Sequence, residues 1–195
     1  MAYPTKSTPL DAPVSKLIEQ RWSPLAFNDK ELSAEDIASL FEAARWAPSA
    51  FNEQPWRYVY AQKNDTNRAA IESLLMDGNS WAKNAGLLIV SFAKPTFTYN
   101  GKENKHALHD LGCASGYLVL EATARGLASH QMSGFFADKA NEALGVPKEF
   151  IPGSMIAIGF PGDAGTLSPE LEKREDAPRS RNAAKTFAFP NMWKQ

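Results

Sequence analysis

The sequence predicts an α+β fold, on three observations. Helix-period and strand-like stretches alternate irregularly along the 195 residues, unlike the regular alternation of a doubly wound sheet. The most apolar run, "AGLLIVSFA" at 85–93, is far shorter than the roughly 20 residues of a membrane span and reads as a buried strand. The chain length suits one domain with a substantial core, so residues 1–195 are taken as a single domain with a lead-in (1–12) and a tail (163–195).

The lead-in is proline-rich, and a short helix fits Val14–Gln20. "KELSAEDIASLFEAARWAP" reads as a clear helix. Ser33 is a good N-cap, Asp36 stands where a capping box usually has Glu or Gln, and Pro48 ends the segment. A strand over Arg57–Gln62, a helix over Asp65–Met76 and a strand over 86–94, stopped by Pro95, follow. The longest helix is predicted over Glu103–Arg125, with Gly126 as its C-terminal stop. Gly112 and Gly116 sit inside it at a cost of about 1 kcal/mol each against alanine, and small residues there admit a second helix, within the protomer or from another subunit. "LASHQMSGF" is a short strand and loop, "DKANEALGVP" a helix, and "SMIAIGF" a buried strand closed by Pro161-Gly162. The tail is polar, then aromatic at Phe187, Phe189 and Trp193, and reads as a segment lying along its own body or a neighbouring subunit.

Composition narrows the function. A formal net charge of -1 gives no electrostatic case for nucleic acid or an acidic membrane surface. The single cysteine, Cys113, provides no disulfide framework and no thiolate metal cage, and it falls on an apolar helix face. No signal-peptide core is present at the N-terminus, so a soluble, cytoplasmic protein is expected. G-x-x-x-x-G-K, G-x-G-x-x-G after a strand and G-x-S-x-G are all missing. His106 and His109 lie three apart on one helix, but no second ligand pair accompanies them, and no metal site is expected. His130 follows a strand and either faces a pocket or serves the structure. What remains are cationic and amide groups in loops: Arg21 and Ser23 in "QRWSPLAF", and Arg179 and Arg181 around Ser180 in "APRSRNAAKTF". Arginine forks match phosphate and a serine adds a hydroxyl, although such arginines are also ordinary surface residues.

Most informative is "AARWAPSAFNEQPW", a loop richer in amide and small residues than a turn requires. Its Ala43, Ala44, Ala47, Pro48, Ser49, Asn52, Gln54, Pro55 and Trp56 resemble the signature of the nitroreductase family of FMN-dependent oxidoreductases. "RWS", "HDLGCASGYLVLEATARGLAS", "QMSGF", "IAIGFPG" and "APRSR" resemble further family segments in the family's order, from about Lys16 to Lys185. The resemblance implies a central, mostly antiparallel sheet flanked by helices. It also implies a homodimer built on the long helix, a C-terminal tail wrapping the partner, and two FMN sites at the interface. Arg21, Trp22 and Ser23 would then hold the phosphate and ribityl chain, with Arg179 and Arg181 closing on the phosphate. Pro48, Ser49, Ala50 and Asn52 would lie over the flavin, with Gln54 and Trp56 anchoring that loop. Gln131, Met132, Ser133 and Gly134 would face N5 and the ring edge, and Asn79 the pyrimidine side. Leu25 stands where relatives often have Lys or Arg, which leaves open how the flavin N1 region is charged. Phe51, Phe135 or Phe136 would wall the acceptor pocket.

The implied activity is ping-pong: NAD(P)H gives a hydride to flavin N5, and a nitroaromatic, quinone or other conjugated small molecule then takes two electrons, with no side chain needed as general acid. The alternatives are a slowly cycling flavin-binding or storage protein, or another reductive activity on the same scaffold, such as an enal reductase or a dehalogenase.

Overall fold

The computed structural model describes residues 6–193. Its centre is a four-stranded antiparallel sheet of β1 (Trp56–Gln62), β2 (Leu87–Ala93), β3 (Ala128–Met132) and β4 (Ile151–Gly159), in the order β1-β2-β4-β3. All seven residues of β2 are buried, as expected of an apolar strand covered on both faces. Alternation along the strands divides the core. Leu87, Ile89, Ile156 and Ile158 face one helical layer, while Leu88, Val90, Met155 and Ala157 face the other.

The first layer contains α2 (Ala34–Arg45) and α4 (Ala107–Ala124). Aspartate completes the α2 capping box: Asp36 N–H donates to Ser33 Oγ at 3.0 Å, and Ser33 N–H donates to Asp36 Oδ2 at 3.1 Å. Arg125, just past α4, ties the two helices through a 2.9 Å bond from Nε to Asp36 Oδ1. The opposite layer carries α3 (Arg68–Glu72) and α5 (Ala137–Ala143), whose Ile71 and Ala140 are fully buried. Two short helices frame the chain ends, α1 (Lys16–Gln20) and α6 (Pro169–Asp176).

Several boundaries differ from the sequence expectation. Helix α1 starts two residues later, and α4 covers Ala107–Ala124 rather than 103–125. The helix expected over 65–76 contracts to α3, and a 3₁₀ stretch runs over Asp77–Asn84. Buried Arg68 explains this local course: its guanidinium donates to the carbonyls of Ala61, Lys83 and Ala85 at 2.8–3.1 Å, stitching β1 to the end of that stretch. Helix α6 lies in the polar part of the tail, where no helix was predicted, and Ser168 followed by Pro169 is its start signal. Leu25 is 3% exposed and belongs to the core with Phe27, Ile71 and Trp81, so its side chain faces no open cleft. A lysine there would bury its charge rather than present it to a ligand.

Candidate functional site

The residues singled out from the sequence fall into three groups. In the first, the chain leaves α1 through Arg21, Trp22 and Ser23, and the tail returns over it after α6. Between them lies a cavity of about 200 Å³ lined by Lys6, Arg21, Trp22, Ser23, Arg174, Arg179 and Arg181. Five of these seven residues are cations. Arg21 Nη1–H donates to Ser23 Oγ at 3.3 Å, placing a guanidinium and a hydroxyl side by side. Trp22 is buried, with Lys6 Nζ 4.6 Å from its ring centroid, so its side chain forms a wall beneath the cation. Arg179 braces the cavity: Nη1 donates to Glu19 O at 2.7 Å and to Thr8 Oγ1, and Nη2 to Arg21 O at 2.9 Å. Arg181 is exposed at the rim and donates to the Ser180 carbonyl at 2.6 Å.

Buried Glu175 and half-buried His130 hold the backbone just after Ser23. Glu175 Oε2 accepts from Leu25 N–H at 2.7 Å, and burial pushes its carboxyl above the usual range. His130 Nδ1 lies 3.0 Å from Pro24 O, which only accepts, so Nδ1 carries the proton. Burial pushes the pKa of this imidazole down, favouring the neutral ring, and the ring packs on Trp81 at 4.7 Å. His130 is therefore a support for the Ser23–Pro24 segment. An apolar-walled space of about 600 Å³, bordered by Leu10, Val14, Ile18 and Phe187, shares Arg21, Arg179 and Arg181 with the basic cavity.

The second group is the loop after α2. Phe51, Asn52 and Gln54 all have φ between 52° and 54°, a left-handed conformation that costs an L-residue about 1–2 kcal/mol. Polar contacts hold it there. Ala50 N–H donates to Asp110 Oδ2 at 2.9 Å, from a carboxylate buried on α4. Gln54 N–H donates to Ser49 Oγ at 3.0 Å, and Gln54 Nε2 donates to Asn52 O at 3.0 Å. Gln54 thus ties the loop to itself, and Trp56 is buried at the start of β1, where the loop ends. Pro48, Phe51 and Asn52 are exposed, and Ser49 and Ala50 half-buried.

In the third group, Asn79 Nδ2 donates to Gly134 O at 2.9 Å. A Cβ at Gly134 would lie 2.5 Å from that nitrogen, so a larger residue would push the Asn79 amide aside. Gly134→Ala is expected to break the Asn79 bond and lower stability by about 1 kcal/mol, read as a lower urea midpoint. Gln131 and Ser133 are exposed beside Gly134. Met132 and Phe135 are buried in the core, so Met132 offers only its backbone and Phe135 walls no acceptor pocket. Phe136 is half-buried under Lys139 Nζ.

Within the protomer, none of residues 48–52 lines the basic cavity. Lys6, Arg174, Glu53, Thr98 and Asp110 were not anticipated. Lys6, Arg174 and Thr98 lie outside the motifs and carry no local signal, whereas Glu53 and Asp110 stand within "AARWAPSAFNEQPW" and "HDLGCASGYLVLEATARGLAS" without their type announcing a role. His106 and His109 have ring centroids 6.4 Å apart, but no cluster of three metal-ligating side chains occurs among the described residues. No helix there is long and apolar enough to cross a membrane.

Comparison with known proteins places this architecture. A crystal structure described as an oxidoreductase containing FMN superposes with a TM-score of 0.92 at 34% identity, over 98% of both chains. A nitroreductase family protein from Streptococcus pneumoniae, 21% identical, shares the fold with a TM-score of 0.72 over 90% of this chain and 98% of its own. An uncharacterized 15.4 kDa protein of Mycolicibacterium smegmatis is 33% identical over 133 residues, 68% of this chain and 88% of its own. A protein of Archaeoglobus fulgidus, provisionally named NADH dehydrogenase/NAD(P)H nitroreductase, is 28% identical over 156 residues, 76% of this chain and 85% of its own. The nitroreductase family profile matches residues 18–80 and 77–160, spanning the loop, the sheet and α4, and the chain belongs to that family.

Proposed function

We propose that the protein is an FMN-dependent oxidoreductase that carries two electrons from NAD(P)H to a flat nitroaromatic, quinone or other conjugated small molecule, as a cytoplasmic homodimer of one-domain subunits. The observation that carries this reading is the basic cavity, which gathers Arg21, Ser23, Arg179 and Arg181 and adds Lys6 and Arg174. A phosphate dianion suits that donor set, and the adjoining 600 Å³ space is of ordinary ligand-pocket size.

Bound FMN would supply the redox chemistry, its N5 accepting a hydride from NAD(P)H and the electron pair passing on to the acceptor. The protein's part is placement. Arg21 and Ser23 bind the phosphate end, with Arg181 at the rim and Arg179 bracing the wall. Asn79 fixes the Gly134 peptide, as a backbone donor near N5 must be fixed. The strained Ser49–Asn52 loop presents its groups in one rigid arrangement. Its separation from the basic cavity within one protomer agrees with a site completed by a second subunit. The face that would meet that subunit is on α4: Leu108 and Tyr117 are exposed, and a Cβ at Gly112 or Gly116 would meet nothing within 4 Å.

Anaerobic reduction tests the proposal. The yellow protein is expected to bleach with NADH or NADPH under argon and to regain its absorbance when a nitroaromatic or quinone is added. Flavin that neither nucleotide bleaches would assign the protein to flavin binding or storage instead.

A further inference from the structure

Three aromatic rings lie beside the strained loop, outside the hydrophobic core. Phe51 meets Phe97 edge-on at 5.7 Å and Tyr99 at 6.2 Å, and Phe97 and Tyr99 are 5.4 Å apart. Phe51 is 82% exposed and Tyr99 65% exposed. Phe97 is half-buried beneath them, and a scaffold of polar contacts holds the two exposed rings in place.

That scaffold centres on Glu53, whose side chain is 6% exposed. Its Oε1 accepts from Thr98 N–H at 2.8 Å and from the Thr98 hydroxyl, with Lys94 Nζ 3.6 Å away. Thr98 stands between Phe97 and Tyr99, so this one carboxylate couples the loop carrying Phe51 to the turn carrying the other two rings. The turn is closed on itself by Phe97 N–H to Lys102 O at 2.8 Å and Gly101 N–H to Phe97 O at 2.9 Å. On the other side of Phe51, the Ala50 N–H is fixed to buried Asp110. The φ of 52° and ψ of 26° at Phe51 thus belong to a rigid arrangement, not a loose end.

We propose that Phe51, Phe97 and Tyr99 form the platform that selects flat, conjugated electron acceptors by stacking and edge contacts. This rests on the reading of residues 48–52 as the loop over the flavin, since Phe51 lies within that segment. An electron-poor aromatic ring gains from the negative faces of these rings, whereas a saturated ring of similar size gains only its buried area. Of the three phenylalanines named from the sequence as acceptor-pocket walls, the structure keeps Phe51 exposed and adds Phe97 and Tyr99.

The test titrates oxidised, FMN-loaded protein with 4-nitrobenzamide and with cyclohexanecarboxamide by calorimetry, so that no turnover intervenes. Phe51→Ala and Tyr99→Ala are each expected to weaken 4-nitrobenzamide binding by about threefold to tenfold. Phe51→Trp is expected to retain it, and the saturated amide, which gains only buried area, is expected to lose clearly less than 4-nitrobenzamide in both alanine variants. Flavin content and sedimentation of the same samples should match the wild type. Unchanged 4-nitrobenzamide affinity in flavin-loaded variants, or equal losses for both amides, overturns the platform alone. A shift to monomer in Phe51→Ala overturns it in favour of a subunit contact. Wild-type protein that takes up no flavin overturns the proposed function and the platform with it.

Discussion

Arg21→Ala is expected to weaken FMN binding by about tenfold to a hundredfold while changing riboflavin binding little. Hydrogen bonds to charged groups contribute about 1.5–3 kcal/mol, and each 1.4 kcal/mol is about tenfold in affinity. Arg21 both lines the basic cavity and donates to Ser23 Oγ, so its loss removes a charge and frees the hydroxyl it orients. Riboflavin lacks the phosphate and should not register that change. Arg181→Ala should have a smaller effect, because Arg181 is exposed at the rim and bonded to its neighbour's carbonyl. Fluorescence titration of apo-protein with the two flavins measures the difference. Equal losses for both would make Arg21 a structural residue and move the phosphate elsewhere.

Gly116→Leu is expected to abolish the proposed dimer at micromolar concentration without unfolding the protomer. Inside one subunit, a Cβ at Gly116 has open space around it, and leucine is a better helix former than glycine by several tenths of a kcal/mol. The protomer should therefore melt no earlier for reasons of its own. A partner helix packed closely over Gly112 and Gly116 would instead meet a four-carbon side chain and be pushed away. Neighbouring Leu108 and Tyr117, 49% and 42% exposed, would lose their cover. Sedimentation velocity distinguishes the states, and flavin content should fall with the dimer if each site needs both subunits. A Gly116→Leu protein that remains dimeric places the subunit interface on another face.

The parts of the fold legible in the sequence were those written in short-range pattern. Ser33 and Asp36 announce the start of α2, and the apolar run ahead of Pro95 announces β2. Strand β4 begins at Ile151, before the "SMIAIGF" run, a start that Pro152 and Gly153 conceal by looking like punctuation. Glycine is needed there: a Cβ at Gly153 would lie 2.6 Å from Leu111 Cδ2 and 2.8 Å from Ser91 Oγ. That requirement comes from α4 and β2, and no local rule contains it. The site divides in the same way. Arg21, Ser23 and the Ser49–Asn52 loop stand in recognisable local motifs. Lys6 and Arg174 reach the same cavity from the two ends of the chain, and Asp110 and Thr98 brace the loop from 60 and 45 residues beyond their partners Ala50 and Glu53. Leu25 is buried in the core, a packing role that its place after the Arg21–Ser23 segment does not announce.

The crowding of Lys6, Arg21, Arg174, Arg179 and Arg181 around about 200 Å³ has a thermodynamic consequence of its own. Like charges this close repel, and the Debye length at physiological ionic strength is about 8 Å, so dissolved salt relieves much of that repulsion at a solvent-open site. An anion seated among them reverses the local field from repulsive to attractive, and the same salt then weakens what holds the chain ends together. Ionic strength thus acts with opposite sign on the empty and the filled protein, favouring the first and loosening the second. The lead-in and the tail, joined through Thr8 and Arg179, are where that reversal is felt.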